Sequence, residues 1–225
     1  MKVLKQLIPQ TKFVLALSGG YDSLSTAILL KNKFDSDFVA VHFNGHFIEQ
    51  DDLAESKVRE FCKVNSIPLI VKSGENNYVS GSKEDYCRKA RYAAIGEACN
   101  SIGVNIVLTG HNLNDCVTSY LWNTFRGHPN FNPIPFVTDF VKFYIHRPFL
   151  LSSKDEMKFV AKKFFPDIDK FVTEDELNKD VSLTRNWIRD VVIPIIHEKP
   201  HFNLNTVVKK IVESKFEGFL EQQSY

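Results

Sequence analysis

Apolar and polar positions along the first 125 residues fall into two alternating textures. Short runs rich in β-branched and aromatic residues predict strands at Lys12–Leu17, Asp37–Phe43, Pro68–Lys72 and Asn105–Thr109. Between and after them, Asp22–Lys31, Asp51–Asn65, Lys83–Ile102 and Asn114–Phe125 carry apolar residues at helical spacing, as Leu53, Val58, Phe61 and Cys62 do in the second. Strand followed by helix, repeated in this way, predicts an α/β fold built on a parallel sheet. No segment repeats at a fixed period, which excludes a solenoid.

From residue 127 the texture changes. Gly127 to Pro135 holds one glycine and three prolines in nine positions, a composition that predicts a loop or an ordered flap. A strand is predicted at Phe140–Ile145, which brings the sheet to about five strands. Ser152-Ser153-Lys154-Asp155-Glu156 has the pattern of a capped helix start, and two further helices are predicted at about Ser182–His197 and Asn205–Glu221.

Composition narrows the class. The chain has 225 residues, 44% hydrophobic and 24% charged, and a chain of this length buries roughly 70% of its unfolded surface. Net charge is +1; residues 1–140 contain 14 basic and 14 acidic side chains, the remainder 14 and 13. Neither part is a basic tail, so any contact with nucleic acid has to come from a local patch. Cys62, Cys87, Cys99 and Cys116 form no CxxC pair and are expected to be reduced thiols. The first ten residues lack the pattern of a signal peptide, and no stretch reaches the roughly 18 apolar residues of a membrane helix. A cytoplasmic protein without membrane contact is therefore expected.

The chemistry begins directly after the first strand, at Ser18-Gly19-Gly20-Tyr21-Asp22-Ser23. Paired glycines let successive backbone N–H groups converge on one anion, and the following helix adds the positive end of its dipole. Hydroxyls of Ser18 and Ser23 can donate to phosphate oxygens, and Asp22 can hold Mg2+. The loop lacks the GKS or GKT ending of P-loop NTPases and the GxGxxG of dinucleotide-binding folds. Its place in the first βα unit still predicts phosphate binding at the carboxyl ends of the strands.

SGGxDS in this position resembles the signature of the PP-loop ATP pyrophosphatases, and further segments resemble one branch, the tRNA(Ile)-lysidine synthetase family. Ala40-Val41-His42-Phe43-Asn44 is similar to that family's second strand, and Arg88-Lys89-Ala90-Arg91-Tyr92 to its RxxRY segment. Thr109-Gly110-His111-Asn112-Leu113-Asn114-Asp115 resembles the TGHxxDD loop, and Arg126-Gly127 the pair that ends the next helix. His146-Arg147-Pro148-Phe149-Leu150 is similar to the RPLL segment, Asp175-Glu176-Leu177-Asn178 to DxxN, and Arg185-Asn186-Trp187-Ile188-Arg189 with Pro194 to RNxxR followed by proline.

The resemblance implies an adenine nucleotide alpha hydrolase-like fold, with a parallel sheet, helices on both faces and a short C-terminal helical tail. The catalytic domain would span 1–194 and a helical extension 195–225. In the family, ATP adenylylates the C2 oxygen of a wobble cytidine in a tRNA anticodon, and the ε-amine of free lysine displaces AMP. ATP and Mg2+ are thus the implied cofactors, with tRNA and lysine as partners. Ser18, Gly19, Gly20, Tyr21, Asp22, Ser23, His42, Gly110 and His111 would line the ATP site. Asp22, Asp115, Arg91, Arg185 and Arg189 would serve the chemistry, with Asp22 and Asp115 on the metal. Arg88, Arg126, Arg147, Asp175, Asn178 and Asn186 would bind substrate.

Several of these residues have a second reading. Asp115 could share a metal, take a proton from the amine, or simply cap a helix; His111 could touch phosphate or ribose, or be structural. Arg185 and Arg189, four apart on one helical face, suit phosphates but also ion pairs with Asp175 or Asp190. The chain departs from the family where DDQxET becomes Asn114-Asp115-Cys116-Val117-Thr118-Ser119, which loses a Glu, and where Asn-His-Gly becomes Asn44-Gly45-His46. The resemblance implies a short form without the accessory tRNA-binding domains of longer members, in which RNA binding would fall to the Pro-rich flap, a second subunit in a homodimer, or another protein. Alternative readings are a different amine donor, sulfur transfer, or a non-catalytic ATP- or tRNA-binding relative.

Overall fold

The computed structural model describes residues 1–46, 49–74, 83–128, 134–173 and 180–223. Four βα units open it: β1 (Phe13–Ala16), α1 (Tyr21–Phe34), β2 (Phe38–Asn44), α2 (Glu49–Val64), β3 (Leu69–Ser73), α3 (Lys83–Ile102), β4 (Ile106–Leu108) and α4 (Leu113–Phe125). After them come β5 (Val137–Asp139), β6 (Tyr144–His146), α5 (Lys154–Phe164), α6 (Thr184–Trp187), a π turn at Ile188–Val192, α7 (Ile193–His197) and α8 (Leu204–Gln223). The strands form one sheet in the order β3-β2-β1-β4-β6-β5, parallel except for the antiparallel pair β5–β6.

The expected α/β fold is therefore present, with five parallel strands and an antiparallel sixth. Successive side chains of β1 point to opposite faces, so Phe13, Leu15 and Leu17 join Leu24, Ile28, Phe61 and Met157 on one side, while Val14 joins Ile95, Ala98 and Val107 on the other. A third cluster lies around α4 and α8, where Leu113, Cys116 and Val117 meet Val208, Val212 and Phe216.

One strand expectation is corrected. Phe140–Ile145 is not a continuous strand: residues 140–143 turn the chain between β5 and β6, with the Val141 N–H donating to Asp139 Oδ1 at 2.6 Å and the Phe140 N–H to the Phe143 carbonyl at 2.9 Å. Phe140 and Phe143 stack at 5.2 Å and 3°, and Tyr92 closes on Phe140 at 4.5 Å. This aromatic packing holds Val141 at φ 66, a left-handed conformation that β-branched residues rarely adopt. The predicted helix at 182–197 is likewise interrupted by the π turn just before Pro194. Pro194 has no N–H for the Asp190 carbonyl, and widening the turn relieves the clash of its ring with that group. Most of the Pro-rich loop, residues 129–133, lies outside the described residues.

Candidate functional site

The strand order locates the site. From β1 the chain steps one way to β2 and β3, then returns to β4 on the other side of β1. The loops leaving β1 and β4 diverge there, and open α/β sheets bind ligands at such a point, beyond the carboxyl ends of the strands. Here the two loops are Ser18–Gly20 and Thr109–Asn112. They touch through Gly110: a Cβ on it would lie 2.9 Å from the Asp22 carbonyl oxygen and 3.0 Å from Thr26 Oγ1. Only glycine lets the β4 loop approach the first turn of α1 so closely.

The first loop is held rigid by its own hydroxyls. Ser23 Oγ accepts from the Ser18 N–H at 3.2 Å and from Ser18 Oγ at 3.1 Å, and donates to the Gly20 carbonyl at 2.9 Å. Ser18 Oγ accepts from the Gly20 N–H at 3.3 Å. Gly19 sits at φ +90, and a Cβ there would meet Val58 Cγ2 at 3.1 Å and Thr173 Oγ1 at 3.2 Å, so its side is closed to any other residue. Gly20 caps α1 without a side-chain hydrogen bond, which leaves the positive end of the helix facing the loop. Tyr21 turns away, donating its hydroxyl to Asp169 Oδ1 at 2.8 Å beneath Lys158, whose Nζ lies 4.4 Å from the ring centre.

The Asp115 charge is felt at Asp22. Burial pushes the Asp22 carboxyl above its ordinary range, and the negative Asp115 pushes it further, against the pull of the Lys154 ammonium. Asp22 Oδ1 is buried without a partner, while Oδ2 lies 3.6 Å from Lys154 Nζ. An anionic oxygen left bare in this way is suited to a cation. Asp115 does cap its helix: its Oδ2 accepts from the Asn112 N–H at 2.9 Å, and Asn112 Oδ1 accepts from the Asn114 N–H at 3.0 Å. Among the described residues no three His, Cys, Asp or Glu side chains form a metal cage, so a divalent ion would complete its shell with phosphate oxygens and water, as Mg2+ commonly does.

Two histidines flank the cleft. His42 is 3% exposed, and its Nδ1 lies 2.8 Å from the Leu17 carbonyl, which can only accept; Nδ1 therefore carries the proton and the buried Nε2, without a partner, is a free acceptor. Burial lowers its pKa and keeps it neutral. His111 pairs through Nδ1 with Thr109 Oγ1 at 2.8 Å, and burial lowers its pKa too, helped by the charges of Arg147, Arg185 and Arg91. The charges of those three arginines thus reach the β4 loop.

The arginines do different things. Arg189 makes a two-point pair with Asp190, Nε to Oδ1 at 2.8 Å and Nη2 to Oδ2 at 2.7 Å, and this carboxylate, with Asp115 and Asp22 adding at longer range, holds its pKa above the ordinary value. Arg185 is exposed, and Asn186 is buried with its Nδ2 donating to the Asp180 carbonyl at 3.0 Å. Arg88 lies over Tyr92 and Arg126 over Trp122, both at the surface. Arg147 is 6% exposed; its Nη1 donates to the Pro135 carbonyl and to Thr138 Oγ1, both at 2.8 Å, so it braces the β5 segment. Replacing Arg147 with Ala is expected to cost about 2–4 kcal/mol in a denaturant titration, since buried acceptors lose a charged donor. An unchanged midpoint would mean that the segment is held by other contacts. Asp175 and Asn178 lie outside the described residues.

Thr118, where the family has Glu, is buried and turns its hydroxyl back to the Asn114 carbonyl at 3.0 Å. Cys62 and Cys99 are buried, and burial pushes their thiols up to about 12 and about 11; the Cys116 thiol is raised for the same reason. None of these three is a thiolate at neutral pH. Sequence reasoning passed over Lys154 and Asn112, because their neighbourhood was already explained by helix capping and their approach to Asp22 depends on tertiary packing.

A family model described as a PP-loop domain matches residues 1–196. The chain is 28% identical over 204 residues to a tRNA(Ile)-lysidine synthase of Staphylococcus epidermidis, covering 87% of this chain and 46% of that protein. It is 30% identical over 205 residues to one of Buchnera aphidicola, with 88% and 45% covered. The chain thus spans about half the length of the curated relatives it matches. Among solved structures, the U34-tRNA thiolase NcsA from Methanococcus maripaludis, with its 4Fe-4S cluster, superposes with a TM-score of 0.67 at 16% identity over 95% of this chain and 77% of that one. At that identity the likeness concerns the fold alone.

Proposed function

The chain belongs to the PP-loop domain family, and on that premise we propose that it is an ATP-dependent tRNA-modifying ligase of the lysidine synthase type. ATP is bound by the Ser18–Ser23 loop, and the C2 oxygen of a wobble cytidine attacks its α-phosphorus, taking the adenylyl group and releasing pyrophosphate. The ε-amine of lysine then displaces AMP. The observation that carries this reading is a rigid glycine loop at a helix start with the Asp22 carboxylate beside it, where the Asp115 charge is felt. The similarity to proteins named tRNA(Ile)-lysidine synthase supports tRNA and lysine as the substrates of this reading.

The residues divide the work by position. Backbone N–H groups at the start of α1 hold phosphate, and Gly110 brings the β4 loop against them. Asp22 and Asp115 would hold Mg2+, which when bound supplies positive charge against the phosphates. Neutral His42 offers a buried acceptor to a nucleotide donor group. Arg91, Arg185 and Arg189 edge the opening where an anionic RNA would arrive. Asp115, already accepting from the Asn112 N–H, keeps its other oxygen for the metal or for a proton of the attacking amine.

Thr118 favours a second reading, an amine other than lysine, because its inward-turned hydroxyl offers no carboxylate to the nucleophile. A cytoplasmic location and homodimer formation belong to the same proposal. The test is incubation with ATP, Mg2+, labelled lysine and total tRNA. The expected result is AMP release with label in RNA. AMP without label would replace lysine by another donor, and neither product with ATP still bound would leave a binding protein.

A further inference from the structure

We propose that Lys154 is a phosphate-binding residue of this cleft, exchanging its loose pairing with Asp22 for the polyphosphate of the nucleotide. The inference rests on the nucleotide-site reading above and adds to it a residue that none of the sequence motifs contains. Lys154 is the first residue of α5, and that is a poor place for a cation, because a helix N-terminus carries partial positive charge. The rest of the start is built as this field demands: Ser153 Oγ accepts from the Glu156 N–H, Glu156 Oε2 accepts from the Ser153 N–H, and Asp155 adds a second carboxylate. A lysine amid these acids runs against the local rule, which points to a role outside the helix.

Tertiary contacts aim it. The Lys154 N–H donates to Asn114 Oδ1 at 2.9 Å, which ties the start of α5 to the start of α4 beside Asp115. From that anchor the side chain reaches back over the first turn of α1, with Nζ 3.6 Å from Asp22 Oδ2. Its charge is also felt at Asp190. The ammonium therefore stands beside the Asp22 carboxylate and within reach of the Asp190 charge.

The pairing is made to be exchanged. At 3.6 Å it is longer than a hydrogen bond, and both side chains keep solvent access, 49% for Lys154 and 37% for Asp22. The neighbouring cations are more firmly engaged: Arg189 is chelated by Asp190, and Arg147 Nη1 donates to the Pro135 carbonyl and Thr138 Oγ1. Among the described residues Lys154 has no ion pair other than the one with Asp22. A flexible stem and three donors let it follow a phosphate that arrives at the loop.

The test is equilibrium binding of ATP in the presence of Mg2+ to the full chain and to Lys154→Met and Lys154→Arg, with adenosine as the second probe. Lys154→Met should weaken ATP binding about tenfold or more, Lys154→Arg by less than about threefold, and adenosine affinity should be the same in all three proteins. The position is exposed, so both variants should melt with the unaltered chain. Failure of the unaltered chain to bind ATP would overturn the nucleotide site itself. ATP binding by Lys154→Met as tight as that of the unaltered chain would overturn the role of Lys154 alone, as would an equal loss for adenosine.

Discussion

Asp22→Asn is expected to lower ATP-dependent AMP formation by roughly a thousandfold or more, on the scale of losing one preorganised stabiliser of phosphate charge, here the Mg2+ that Asp22 would hold. The substitution keeps the shape of the side chain and removes only its charge. Asp22 lies two residues after the glycine pair, and its Oδ1 is buried without a partner. Such a group destabilises the chain that carries it. Its pKa is raised in the fold, by burial first and by Asp115 second, so the folded state binds the proton more tightly than the unfolded state does. Stability from this group is then fully present below the ordinary carboxylate pKa and is lost as pH rises through the raised value. At neutral pH Asp22→Asn should therefore melt at or above the temperature of the unaltered chain, and the difference should vanish in acid. Loss of turnover together with equal or higher stability would mark a charge kept for chemistry. Full AMP formation by Asp22→Asn would remove the carboxylate from the mechanism, and a lower melting temperature would mean that its contact with Lys154 outweighs its burial.

The parts of this site legible in the sequence are those whose signal is local. Paired glycines between a β-branched run and a helical run place the phosphate loop without any partner strand. Ser153 and Glu156 announce the start of α5, because a capping box is made by residues three apart. Four βα units follow from period alone, and α3 spans Lys83–Ile102 as its pattern predicts. What was not legible depends on packing between distant segments. Val141 carries no turn signal, yet the stacked Phe140 and Phe143 bend the chain there and turn one predicted strand into a hairpin. The pairing of Arg189 with Asp190 is one of the readings the sequence offers and is present, whereas the π turn ahead of Pro194 was not legible. Arg147 stands in a motif suggestive of substrate, and only the fold reveals the Pro135 carbonyl waiting for it.

Ending the chain before α8 should abolish cooperative folding, and with it nucleotide binding, although every recognised motif would remain. On the sequence alone the last residues form a tail beyond the catalytic segment; in the structure α8 is one wall of the core around α4. Val208, Val212 and Phe216 are 0%, 2% and 6% exposed, and they pack with Leu4, Leu7, Leu113, Cys116 and Val117. Phe216 meets Phe136 edge to face at 5.0 Å, and Phe219 adds a second contact to the same ring at 5.6 Å. Burying a large aromatic side chain contributes enough that Phe216→Ala alone is expected to cost about 3–5 kcal/mol, against a total of roughly 5–15 kcal/mol for a domain. Deleting the helix strips all of these contacts at once and leaves the apolar face of α4 in water. The consequence reaches the cleft because α4 begins at Leu113, between the Asn112 cap and Asp115, and the Lys154 N–H is fastened to Asn114. Without α8 the carboxylate and the lysine lose their fixed places together. Thermal melts and ATP binding of Phe216→Ala and of a chain stopped after Phe202 would check this. A shortened chain that melts cooperatively near the full-length temperature would show that the core around α4 closes without its last helix.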